Sequence, residues 1–189
     1  MDNLKLLRDA LALIQKPEGW IKLAMAKDVE GNDVQVFDEQ AVCFCSVGAL
    51  SKVDPSFQSF VTRSGQWKRQ CETAQLLGFR DDDRLATWND HPDRKHEEVV
   101  DRFQKAIDRQ ILLQTKALIE KDGWDQRMNC LGFHLLDVGR EVEFHRVRNR
   151  LGFVNTESLV EWNDHPDRTK QQVLDLLTKT AEEIFNYGP

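Results

Sequence analysis

No run of about 18 apolar residues occurs anywhere in this chain, so a helical membrane span is excluded. The opening MDNLKLLRDALALIQK has the look of an export signal, but Asp2, Arg8, Asp9 and Gln15 interrupt its apolar run and no small-residue cleavage site follows. A cytoplasmic protein is therefore expected. Cysteine is scarce, and Cys43, Cys45, Cys71 and Cys130 are then expected to be reduced thiols. Basic residues are short too: 26 Lys and Arg stand against 32 Asp and Glu, a net charge of -6. A general nucleic-acid binder needs basic surface to neutralise phosphates, so nucleic acid is not the expected partner. Chemical signatures are missing as well: there is no H-E-x-x-H, EF-hand loop, C-x-x-C pair, Gly-rich phosphate loop, G-x-S-x-G elbow or kinase pattern. No cofactor and no metal is expected, and no catalytic residue is assigned.

What the chain does contain is repetition. WNDHPDR is spelled twice, at Trp88–Arg94 and at Trp162–Arg168, a step of 74 residues. The same step carries Leu77-Gly78-Phe79 onto Leu151-Gly152-Phe153, Leu85 onto Leu159 and Val99 onto Val173; 14 of 31 positions match without a gap, which chance does not give. Upstream, Gly19-Trp20 matches Gly123-Trp124 at a step of 104, so the second copy lacks 30 residues between its Gly-Trp and its Trp-Asn-Asp. Ile21–Val42 and part of Lys52–Gln75 are the natural losses. The expectation is a tandem duplication with one trimmed copy.

The local patterns are mainly helical. Leu4, Leu7, Leu11 and Ile14 have helical spacing over Asn3–Gln15, and Pro17-Glu18-Gly19 ends that helix. Gly31-Asn32-Asp33 is a turn signal between Ile21–Val29 and Val34–Phe44, which predicts a β-hairpin over about 21–45. Small-residue helices are expected from Cys43–Ser51 and over Gln66–Leu77, with Gly78 and Gly152 as stops. Val100, Phe103, Ile107, Ile111 and Leu118 predict a long helix over about 95–121, and Val173, Leu177, Ala181 and Ile184 its counterpart in the second copy. The fold class is thus mainly α, a duplicated helical module with a small hairpin in its first copy. The modules are expected over 1–107 and 108–189, forming one compact unit that shares the long helix.

The repeated heptad has a structural and a functional reading. In the structural one, proline sits at the second position of a type I turn, Asp93 and Asp167 cap the following helix (with Thr169 and Gln172 as a competing capping box), and the indoles pack beneath. In the functional one, Trp88, Asn89, Asp90 and His91, with Trp162, Asn163, Asp164 and His165, line a ligand site, their oxygens and imidazoles offering cation or acid–base chemistry. Two further stretches invite the same weighing. Cys45 at a helix start is a candidate nucleophile or a buried packing residue. The basic run His145–Arg150, with Arg140 nearby, contacts phosphates or pairs with acidic residues such as Asp81-Asp82-Asp83.

Gly19-Trp20, Cys45-Ser46-Val47-Gly48-Ala49-Leu50, and Trp88-Asn89-Asp90 with Arg94 and Val99 together resemble a family of small bacterial and phage proteins to which no activity is assigned. The resemblance spans nearly the whole chain. It implies a bacterial or phage source and carries no functional residue over. The leading reading is a non-enzymatic protein-binding or regulatory protein, such as a phage-encoded inhibitor of a host system, with another protein as partner and homo-oligomerisation left open. A small-ligand or nucleotide binder comes second, and a hydrolase or transferase last.

Overall fold

The computed structural model describes residues 2–54, 72–125 and 130–185. Among the described residues the architecture is mainly α-helical with one small antiparallel pair of strands. The chain divides into two compact units, Met1–Ala106 and Ile107–Pro189.

In the first unit, helix α1 (Asn3–Ile14) starts on Asp2, whose carboxylate accepts the free N–H groups of Leu4 and Lys5. Its apolar stripe buries Leu4, Leu7, Ala10 and Ile14, and it packs against α2 (Ser46–Val53). A single 3-10 turn, Pro17–Gly19, ends it as expected. The hairpin is present but much shorter than the sequence suggests. Only β1 (Ala26–Lys27) and β2 (Cys43–Phe44) form a ladder, with Ala26 opposite Phe44 and Lys27 opposite Cys43. The turn falls where Gly31 predicts it, at φ +85, with the Asp28 carboxylate accepting the N–H groups of Glu30 and Asn32. The missing strand length has a physical cause: the carbonyl of Ile21 and the N–H of Leu23 bond to side chains of the first heptad instead of to a neighbouring strand. The hairpin lies directly on α2, where a Cβ on Gly48 would collide with the Met25 carbonyl.

Of the helix expected over Gln66–Leu77, residues 72–76 are helical and the part before residue 72 lies outside the described residues. Gly78 then stops it at φ +80. Next come α3 (Asp82–Asp90), begun by the Asp81 carboxylate on the Arg84 N–H, and the long α4 (His96–Asp122). The buried stripe of α4 runs through Val99, Phe103, Ala106, Ile107, Ile111, Leu112 and Ile119. Val100 and Leu118, expected on that stripe, are only half-buried, one residue off the packed face.

The second unit continues from α4 into α5 (Cys130–Val138), α6 (Glu141–Arg150), α7 (Thr156–Asn163) and α8 (Lys170–Glu183). Gly152, at φ +90, closes α6 as Gly78 closes its helix in the first unit. Val173, Leu177, Ala181 and Ile184 are all buried, as their spacing predicts. Thr169, not Asp167, caps α8: its hydroxyl accepts the Gln172 N–H while the Gln172 amide accepts the Thr169 N–H. In the first unit the equivalent bond runs from the Lys95 N–H to Glu98, so Asp93 caps nothing either. Asp93 stands three residues before the first residue of α4, and Asp167 three before that of α8, so both precede the capping position.

Candidate functional site

The heptads are built outward from a buried asparagine. Asn89 is fully buried at the end of α3, and its Oδ1 accepts from the Trp20 indole N–H (2.9 Å), the Ser46 N–H (3.1 Å) and the Ser46 hydroxyl (2.8 Å). Its Nδ2 donates to the Ile21 carbonyl (3.1 Å) and to Asp90 Oδ1 (2.8 Å). All of its hydrogen-bonding capacity is spent on the chain itself. Asp90 Oδ1 in turn accepts the Leu23 N–H at 2.9 Å. The Lys22 ammonium donates to the carbonyls of His91 (2.9 Å) and Pro92 (2.8 Å). Residues 21, 22 and 23 are thus each gripped by the first heptad.

The remaining positions close the turn. The Arg94 N–H returns to the His91 carbonyl at 3.0 Å, the i to i+3 bond of a turn with proline second. His91 Nδ1 accepts the Asp93 N–H, which places the ring proton of the neutral imidazole on Nε2. Arg94 folds back: Nε donates to the Trp88 carbonyl, the guanidinium lies 4.1 Å over the Trp88 ring, and Nη1 reaches Glu98 at 2.8 Å. Phe79 packs against the same indole, ring centroids 5.3 Å apart. The Glu98 carboxyl is held below its ordinary pKa first by the Lys95 N–H, with Arg94 adding to it.

The second heptad repeats the bonds at its core. The Trp124 indole donates to Asn163 Oδ1 at 2.9 Å, and Asn163 Nδ2 donates to Asp164 at 2.7 Å. Arg168 bonds the Trp162 carbonyl and stacks 3.8 Å over its ring, Phe153 packs on that ring, and the Asp167 N–H donates to His165 Nδ1. Gln172 stands where Glu98 stands. Every residue of the proposed ligand set therefore has its place: Trp88 and Trp162 lie beneath an arginine, Asn89 and Asn163 are buried, Asp90 and Asp164 receive the asparagine amides, and His91 and His165 are exposed. Each group of four is engaged inside its own unit.

The other candidates settle similarly. Cys45 is buried and caps α2, its sulfur accepting the Gly48 N–H at 3.3 Å. Burial pushes its thiol pKa up, the nearby Asp90 carboxylate pushes the same way, and the N–H groups of Gly48 and Val47 oppose them. That direction keeps the thiol protonated, the reverse of nucleophile activation. The basic run pairs with an acid inside its own unit. Arg146 and Arg150 share Asp108, which is fully buried, with Nε–O distances of 2.6 and 2.5 Å. Arg148 turns to Asn149 and the Val154 carbonyl. Among the described residues, no group of three or more His, Cys, Asp or Glu side chains stands where it could hold a metal ion, and no helix is long and apolar enough to cross a membrane.

Sequence reasoning did not anticipate Leu23. It stands at φ +65, the one non-glycine residue in the left-handed region among those described, and it is 83% exposed. No local sequence signal marks it, because the groups that hold it come from residues 89–92.

A mainly α-helical protein with two internally braced Trp-Asn-Asp turns is the class that these observations define. Residues 2–109 and 134–183 match the model of the Family of unknown function (DUF6197), and the chain belongs to that family. No curated protein matches it. No solved structure matches it.

Proposed function

We propose that this protein is a non-enzymatic protein-binding module and that the loop gripped by the first heptad is its contact element. Leu23 is the observation that carries the reading. A leucine in left-handed backbone costs on the order of 1–2 kcal/mol, and such strain persists only where the surroundings over-determine it. Here the surroundings are the Asp90 carboxylate on its own N–H, the Asn89 amide on Ile21, and the turn carbonyls on Lys22. What this bracing holds out to water is a large apolar side chain, with Met25 nearby in sequence and also exposed. A rigid, pre-positioned apolar side chain loses little entropy when it enters a partner's pocket. The heptad's own groups are meanwhile bonded to the chain, which favours a bracing role for it over a catalytic one.

Leu23→Asn tests this. Asparagine tolerates the left-handed region far better than leucine, so the loop keeps its shape while the apolar contact is removed. Wild type, Leu23→Asn and the control Val154→Ala, which trims an equally exposed valine with no such brace, are used as bait in host lysate. The expected result is a protein captured by wild type and V154A and depleted at least tenfold with L23N, which itself melts no lower than wild type. Equal capture by L23N would remove Leu23 from the contact. No capture by wild type at any of several salt concentrations would count against protein binding altogether.

The two units are read as copies of one module. The shared indole–asparagine, asparagine–aspartate and arginine–tryptophan contacts of the heptads, the matching glycine stops and the family match in two segments support this. A cytoplasmic location, with reduced thiols, and a bacterial or phage source complete the reading. They rest on the sequence patterns and the motif resemblance.

A further inference from the structure

We draw no further inference here: the strongest candidate, the exposed apolar face of α5 that carries Phe133 and Leu136, has nothing in the structure to show what covers it.

Discussion

Replacing Asn89 by alanine should cost the first unit a large share of its stability. The structure supplies the arithmetic. Asn89→Ala strips the acceptor from the N–H and hydroxyl of Ser46, which is fully buried, and from the half-buried Trp20 indole; it also takes a donor from the Ile21 carbonyl. A buried polar group left unpaired costs about 1–3 kcal/mol, and water can reach the Trp20 and Ile21 groups in part. The sum is about 3–5 kcal/mol, a large share of the roughly 5–15 kcal/mol that holds an ordinary domain together. Asn163 accepts the Trp124 indole N–H and donates to Asp164, and losing those two bonds should by itself cost about 1–2 kcal/mol. Urea titration followed by circular dichroism gives the global difference. Hydrogen exchange at Ser46 and at the amides of α2 reports whether the first unit has opened. A loss of less than about 1 kcal/mol for Asn89→Ala would refute the brace and return the asparagine to the list of ligand groups.

Three further outcomes are expected. The Glu98 carboxyl is depressed in the folded state, so its contribution is complete above the ordinary glutamate pKa of about 4.3 and disappears as pH falls through the folded value. The stability difference between wild type and Glu98→Gln should therefore shrink between about pH 5 and pH 3, and a pH-independent difference would show that the Arg94 and Lys95 contacts are not made. Asp108→Ala leaves Arg146 and Arg150 facing a buried hole with two positive charges; because both arginines keep partial contact with water, a loss of about 2–3 kcal/mol in urea titration is expected, and a loss under about 0.5 kcal/mol would mean the arginines find other partners. Asp93→Ala should change the melting temperature by no more than a surface substitution does, within about 0.5 kcal/mol, whereas Arg94→Ala should cost about 1–2 kcal/mol through the lost indole stack and carbonyl bond. A large Asp93→Ala effect would restore the capping role that the geometry denies it.

The helices were legible because their information is local. Leu4, Leu7 and Ile14 at helical spacing, or Val173, Leu177 and Ala181, define a buried stripe whatever the rest of the chain does. Gly78 and Gly152 likewise announce a backbone that only glycine adopts at little cost. The hairpin was legible only at its turn. The run Ile21–Val29 reads as a strand beside that turn, but the Ile21 carbonyl and the Leu23 N–H bond to Asn89 and Asp90, more than 60 residues away. Separation in sequence, 69 residues in the first unit and 39 in the second, also hid the first half of each site. The Gly-Trp pairs were visible as repeated positions, yet nothing in their spelling says that the indole N–H ends on the heptad asparagine. Asp108 was hidden for another reason: on a helix it reads as one more solvated charge, and only the packing of α6 shows it buried under two arginines.

The identity of the heptads follows from how many duties each short segment performs. The tryptophan supplies a ring for the arginine and a carbonyl for its Nε. The asparagine ties the turn to a second indole, and the aspartate holds the asparagine amide. Histidine accepts the N–H two residues on, and proline fixes φ at the second turn position. Change the tryptophan, asparagine or arginine and a buried or half-buried group loses its partner, so these positions are the most constrained of the segment. The residues that the turn presses on are free to differ. Glu98 becomes Gln172, which still accepts the capping N–H but no longer titrates. In the first unit the heptad also seizes a loop, since Asp90 and the turn carbonyls hold Leu23 and Lys22. A brace repeated in both units explains the repetition, and the loop it holds in the first is where a partner would find a rigid apolar contact.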